Sequence, residues 1–386
     1  MTSGSFDVIV AGLGSMGSAA CYELSKQGYR VLGLEQQSHT PHELGAHGGQ
    51  SRIIRKAYFE DPDYIPLLEK SYEGWYQLEA ATRKQVYHPC GLLYYGLPAH
   101  PIMQGVKQAA RDFNIPLAPV SDKQLLSSFV EREGYEAFVE HDAGFLLPEK
   151  AIRLLLEEAG KKGAALHTGE KIISWTKQGE GIEVITTKAT YHSKRLIITA
   201  GPWANELIRT LPIPLTVTRQ IILWVETDQY KNYSPSHFPC WLIASEETKG
   251  AWYGFPALDT TECPGPRGLK LALHYPDSPA HPDEVNRNIT SDEIESVKRA
   301  AMAFFKPAGN KLIVAKTCMY TNTPDEHFII DHLPGYDGAV TIACGFSGHG
   351  FKFVPVIGRI LADLAIKGKT DLPAGFLGLQ RFSNAV

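Results

Sequence analysis

Phe6-Asp7-Val8-Ile9-Val10-Ala11 runs straight into Gly12-Leu13-Gly14-Ser15-Met16-Gly17. The first half is an apolar run of buried parallel-strand length. The second half fits GxGxxG, a weak pattern by itself in a chain with 35 glycines among 386 residues. Its context gives it weight. Residues 18–27 read as a helix closed by Gly28, and Arg30-Val31-Leu32-Gly33-Leu34-Glu35 reads as a second strand ending in an acid. In such a βαβ start the glycines let backbone N–H groups approach a pyrophosphate at the helix N-terminus. The acid accepts from ribose hydroxyls. Gly12, Gly14, Ser15, Met16, Gly17 and Glu35 are therefore the expected dinucleotide site. The motif does not separate NAD from FAD.

Working outward, residues 36–51 are rich in Gly, His and Pro and read as a long loop. Residues 61–78 read as a helix capped by Asp61 or Asp63, with apolar positions at Ile65, Leu68, Tyr72, Trp75 and Leu78. Near Val86 the pattern changes to short strand-like runs such as Gly91-Leu92-Leu93-Tyr94-Tyr95. A helix at 149–161 and alternating runs at 171–187 follow. Leu196-Ile197-Ile198-Thr199-Ala200-Gly201 is again an apolar strand meeting glycine. Residues 212–314 read as β-rich with many turns. Val340-Thr341-Ile342-Ala343-Cys344 then enters Gly345-Phe346-Ser347-Gly348-His349-Gly350, with a helix around 356–366. The expected fold class is α/β in two discontinuous domains. A Rossmann-like dinucleotide domain takes 1–85, 145–215 and 318–386, and a β-sheet-rich substrate domain takes 86–144 and 216–317.

Composition narrows the class. Apolar residues make up 44% and charged residues 21%, ordinary globular usage. A net charge of −4 gives no nucleic-acid footprint. No apolar run approaches the ~20 residues that span a bilayer, and residues 1–6 are too polar for a signal peptide. The six cysteines are scattered without a CxxC, which argues against a disulfide scaffold or structural zinc. The chain ends Ser383-Asn384-Ala385-Val386, which is no peroxisomal address, so the cytoplasm is the expected location.

Four further segments carry a resemblance. They are Ser51-Arg52-Ile53-Ile54-Arg55-Lys56-Ala57-Tyr58; Tyr253-Gly254-Phe255-Pro256 with Gly268-Leu269-Lys270-Leu271-Ala272-Leu273-His274; Lys316-Thr317-Cys318-Met319-Tyr320-Thr321 with Pro324-Asp325-Glu326-His327-Phe328-Ile329-Ile330-Asp331; and Gly345-Phe346-Ser347-Gly348-His349-Gly350-Phe351-Lys352-Phe353. Together they resemble the monomeric sarcosine oxidase and N-methyltryptophan oxidase family, in family order and over nearly the whole chain. The resemblance implies a two-domain, monomeric flavoprotein amine oxidase with a D-amino-acid-oxidase-like fold. It implies FAD bonded through its 8α-methyl carbon to Cys318. A thiolate attacking an electron-poor methyl is reasonable chemistry.

The resemblance assigns the other roles. Arg55 and Lys352 match the family's carboxylate-binding pair, a guanidinium fork and a point charge. Arg52 matches the arginine near the flavin ring. Lys270 matches the oxygen-activating lysine, a fixed cation where O₂ gains negative charge. Tyr253, Tyr320 and His274 are candidate pocket walls. Gly345, Gly348, His349 and Gly350 belong to the flavin turn, where His349 shapes the turn and is not a base. Cys344 is expected to serve packing. Glu326, His327, Asp331 and His332 cluster in sequence without a metal-ligand arrangement.

Two departures stand out. Gly48 follows His47 where the family commonly has a second histidine, and the segment 260–267 beside Lys270 is longer than usual. The expected reaction is oxidation of sarcosine to glycine, formaldehyde and H₂O₂, with O₂ as the second substrate. N-methyltryptophan, a cyclic imino acid such as pipecolate or proline, or glycine are alternatives. A dehydrogenase feeding a carrier, or a non-enzymatic flavin protein, fits the set of Lys270, Arg55, Cys318 and Lys352 less well.

Overall fold

The computed structural model describes residues 5–246, 250–261, 263–274, 278–307 and 309–382. Residues 1–4, 262 within the long segment, and 383–386 at the end thus lie outside the described residues. The glycine-rich stretch sits where its pattern puts it. Strand Ser5–Ala11 pairs in parallel with Val31–Leu34 on one side and Thr190–Ile198 on the other. Ala165–His167 and Val340–Cys344 extend the parallel order on either side. Ile172–Gln178, Gly181–Thr186 and Ile329–His332 are antiparallel additions. Both faces of this eight-stranded sheet are covered. Val8 and Val10 enter one core cluster, Ile9 and Ala11 another, which is why the strand shows no polar alternation. Helices Pro148–Lys161 and Val354–Lys367 both pack against Ser15–Lys26 on the first face.

A second sheet also has eight strands. Its order is Leu312–Asn322, Thr216–Val225, Leu269–His274, Ala251–Phe255, Cys240–Ala244, Leu92–Gly96, Glu136–Glu140 and Ala118–Pro119. A three-stranded sheet of Arg52–Ile54, Gly144–Leu146 and Tyr87–His88 presents Arg52 and Arg55. The boundary expected between 317 and 318 falls inside the continuous strand Leu312–Asn322, which pairs with Thr216–Val225 along its length. Burial along that strand changes at Cys318, from partly covered to buried.

Two helices lie in stretches read as strand-rich. Pro101–Asp112 buries only Met103, Val106 and Ala109. Ser291–Met302 buries only Ala301, so its apolar stripe is faint. Its start is legible nonetheless: Thr290 and Glu293 form a reciprocal capping box. The helix expected from 61 begins as a 3-10 turn, Pro62–Tyr64, and continues as Ile65–Thr82. Asp61 is its cap, its carboxylate accepting from the Asp63 N–H at 2.8 Å. Among the described residues no helix is long and apolar enough to cross a membrane.

Helices Ser15–Lys26 and Val354–Lys367 meet at Gly358, where an added Cβ would lie 2.6 Å from the Ala19 Cβ. Gly358→Val should therefore push the two helices apart and cost about 1–3 kcal/mol by overpacking. Denaturant unfolding monitored by circular dichroism would measure it; an unchanged midpoint would contradict this contact.

Candidate active site

A cavity of about 680 Å³ begins at Gly12, Gly14, Ser15, Met16 and Glu35 and reaches Tyr253, His274, Tyr320 and Lys352. At its first end Gly12 has φ +97°, and a Cβ there would meet the Thr199 carbonyl oxygen at 2.6 Å. Only glycine fits both conditions. Gly14 caps the helix Ser15–Lys26 without a side-chain bond, which leaves helix N–H groups for an anion. The buried Glu35 carboxylate accepts from the N–H groups of Leu13 at 3.1 Å and Gln37 at 3.0 Å. Burial alone would raise its pKa, but His42 and these N–H groups hold it below the usual range. His42 Nδ1 and His47 Nε2 are buried without a hydrogen-bond partner among the described residues, and both rings line the cavity. Anion-ready N–H groups, a fixed acid and unpartnered polar atoms suit a dinucleotide.

At the middle of the cavity Arg52 is held by carbonyls. Its guanidinium donates to Ser51 at 2.9 Å, Ala46 at 3.1 Å and Gly48 at 2.6 Å, and lies 3.6 Å from Cys318 Sγ. Gly48, the departure noted in the sequence, thus contributes its carbonyl. A Cβ there would sit 3.3 Å from the Glu43 Cα. Lys270 does not line the cavity. Its fully buried ammonium lies behind the wall, donating to Gly49 O at 2.7 Å and Ser51 O at 2.6 Å, over the Phe255 ring. The Ser51 hydroxyl is a third, longer partner at 3.4 Å. Burial, then Arg52, pushes its pKa well below the ordinary lysine range. The same loop is pinned from the other side, as Glu149 accepts from the N–H groups of Gly49 and Gln50. The long segment near 263–266 docks on Gln50, whose amide donates to Cys263 O at 3.0 Å and Pro266 O at 3.3 Å.

At the far end the structure adds a residue that sequence reading missed. Arg55 Nη2 is 2.6 Å from both carboxylate oxygens of Glu60, and Nη1 donates to Ala57 O at 2.9 Å. The guanidinium also rests on the Tyr58 and Phe59 rings, at 4.5 and 4.3 Å. Burial opposes charge on Glu60, but Arg55 above all outweighs it and holds the carboxyl at about 2. In the sequence Glu60 is one of several acids before a helix, and nothing there marks it as turned inward. A second missed acid, Glu140, is buried; it receives the N–H groups of Lys56 and Ala57 and the Tyr94 hydroxyl. It fixes the chain just after Arg55.

Lys352 donates to the His349 carbonyl at 2.7 Å, and burial with help from Arg55 lowers its pKa to about 7. His349 lies between the Tyr58 hydroxyl and the Glu326 carbonyl, and burial lowers its pKa to about 3. Its ring is neutral and locked, as a turn-shaping residue should be. His274 lies 3.1 Å from the Tyr320 hydroxyl and is also neutral, burial lowering its pKa to about 4. Gly348 packs under the Tyr320 ring, where a Cβ would approach to 2.4 Å. Gly345, Gly350 and Cys318 line the cavity as well. His327 instead stacks on Tyr64, and Asp331 accepts from the Leu379 N–H, so these residues serve structure. Cys344 is fully buried in the core of the first sheet.

A glycine turn at a helix N-terminus, a buried acid behind it and a long cavity ending among cations and aromatic walls suit a dinucleotide-dependent enzyme. The chain belongs to the FAD dependent oxidoreductase (DAO) family, which it matches over residues 7–364. It is 36% identical to a monomeric sarcosine oxidase of Streptomyces avermitilis over 388 residues, covering 99% of both chains. It is 31% identical to the N-methyl-L-tryptophan oxidase of Yersinia pestis over 386 residues, covering 98% of this chain and 99% of that one. The fold is shared with NikD, an unusual amino acid oxidase (TM-score 0.84, 22% identity, 98% of each chain). It is also shared with glycine oxidase from Geobacillus kaustophilus (TM-score 0.78, 17% identity, 98% and 99%).

The Lys352 shift has a sign. Below about pH 7 the side chain is charged; above it the charge is lost until a bound anion raises its pKa again. Carboxylate binding, followed with acetate by calorimetry or by a perturbed cofactor spectrum, should weaken as pH rises through 7, by up to about tenfold per unit. Lys352→Met should flatten the profile. An equally steep profile in that variant would assign the titration elsewhere.

Proposed function

We propose that this protein oxidises a small N-methyl amino acid, sarcosine first among them, to glycine and formaldehyde, with O₂ accepting the electrons and H₂O₂ leaving. The observation that carries this reading is Arg55. It is a buried guanidinium that already holds a carboxylate, both of whose oxygens lie on its Nη2, at the end of the cavity. The names of the sarcosine and N-methyl-L-tryptophan oxidase relatives supply the substrate class, and support a monomer.

In this reading the substrate carboxylate takes the place of Glu60 on Arg55 and is seconded by Lys352. Two cations at that end disfavour an ammonium on the substrate, so the amine is held in its neutral, reactive form. Tyr253, Tyr320 and neutral His274 wall the reacting end and fix its orientation. No dedicated base is required of them. When bound, FAD supplies the two-electron chemistry. Gly12, Glu35 and the helix N-terminus would hold its dinucleotide part, and Cys318 would hold its ring through a thioether. Arg52, 3.6 Å from that sulfur, and Lys270 behind it give fixed positive charge where O₂ gains electrons. Burial and Arg52 work against charge on Lys270, but its three oxygen partners match the three N–H groups of an ammonium.

Anaerobic mixing with sarcosine while following flavin absorbance tests the reading. Bleaching is expected, and a cofactor that stays yellow at high sarcosine would remove sarcosine as the substrate. Lys270→Met should slow reoxidation in air by about 10²-fold or more while leaving anaerobic bleaching much less affected. Equal loss in both halves would show that Lys270 does not serve oxygen. Cys318→Ala should release its flavin on acid precipitation, whereas the parent protein should keep it in the pellet.

A further inference from the structure

Cys90 and Cys240 lie 150 residues apart in sequence, and their sulfur atoms are 3.7 Å apart. Cys90 follows the short strand Tyr87–His88 and precedes Gly91, at the entry to Leu92–Gly96. Cys240 opens the strand Cys240–Ala244, which runs parallel to Leu92–Gly96 with Cys240 opposite Leu92. The Cys240 N–H donates to Gly91 O at 3.1 Å, which fixes the two chain segments side by side. The six cysteines all fall among the described residues, and Cys90 is the one that is not fully buried. Neither thiol takes part in the chemistry derived above.

We propose that Cys90 and Cys240 form a peroxide-sensitive dithiol that closes reversibly to a disulfide. The chemistry divides between the two sulfurs by exposure. Cys90 is only partly buried, its sulfur 3.6 Å from the Gly91 carbonyl, and its contact with the Cys240 sulfur favours its thiolate, lowering its pKa. Burial raises the pKa of the fully buried Cys240 well above the ordinary range. The less buried of the two residues, with the thiolate character, is the one peroxide meets first.

The Cys90 thiolate attacks one peroxide oxygen; the O–O bond breaks, a sulfenic acid forms and the other oxygen leaves as water after taking a proton. The Cys240 sulfur then attacks the Cys90 sulfur; the S–O bond breaks, the S–S bond forms, and the hydroxyl leaves with the Cys240 proton as a second water. Two thiols lose two electrons in all, and one hydrogen peroxide gains them. Closing from 3.7 Å to the ~2.05 Å of a disulfide asks for side-chain rotation and a small shift of the Cys90 segment. A buried resolving thiol in contact with a less buried one also guards the first sulfur from irreversible oxidation. The inference requires a peroxide and does not depend on the substrate proposed above.

The test uses the purified flavin-loaded protein, graded hydrogen peroxide, denaturing alkylation and peptide mass analysis. The expected result is a Cys90–Cys240 linked pair of peptides, loss of two alkylatable thiols, and recovery of both with dithiothreitol. Cys90→Ser should abolish the link and leave Cys240 alkylatable. Cys90 recovered as sulfinic acid without a link, two thiols that survive peroxide unlinked, or a link to a different cysteine would each overturn the proposal. The measurement on the parent protein stands even if a variant folds poorly.

Discussion

Two cations, Lys270 fully buried and Arg52 partly buried, donate to one carbonyl oxygen. Lys270 reaches Ser51 O at 2.6 Å from the second sheet, and Arg52 reaches it at 2.9 Å from the three-stranded sheet. Neither cation is tolerable there alone, since a buried charge must be hydrogen-bonded or paired. The loop 46–52 solves this by turning its carbonyls inward, and Glu149 on the helix Pro148–Lys161 holds its N–H groups from outside. Three layers of the molecule therefore converge on a few backbone groups. The positions of Cys318, the cavity wall and the positive field beside it follow from that convergence.

The first end of the cavity was readable because its chemistry is local. The strand, the glycines and Glu35 lie within 30 residues, and close approach at Gly12 leaves a visible mark in residue type. The cations were readable by resemblance only; a lysine between Leu269 and Leu271 gives no sign of which way it points. Its place behind the cavity wall depends on carbonyls about 220 residues earlier in the chain. Glu60 and Glu140 were invisible for the same reason. An acid reads as solvent-facing until the fold supplies the guanidinium or the N–H groups that make its burial tolerable.

Secondary structure failed in the sequence where packing leaves little trace. Ser291–Met302 buries one residue fully, so periodicity had little to register, although its capping box was present in the letters. The expected domain boundary at 318 falls within the strand Leu312–Asn322, whose surroundings change midway at Cys318. In both cases the backbone follows pairing and capping, and the side-chain pattern reports only what covers it.

If Arg55 receives the substrate carboxylate as proposed above, the carboxylate of Glu60 gives that site the character of a tethered competitor. It is joined to its cation by four intervening residues, so its effective concentration at the guanidinium is in the range of millimolar or above. Every incoming anion is measured against that internal standard. Small inorganic anions and buffer ions that offer no more than charge gain little by exchange. A zwitterion that also fills the aromatic end of the cavity gains contacts that Glu60 does not make. Discrimination is thus built into the resting state, at the cost of some affinity for every ligand.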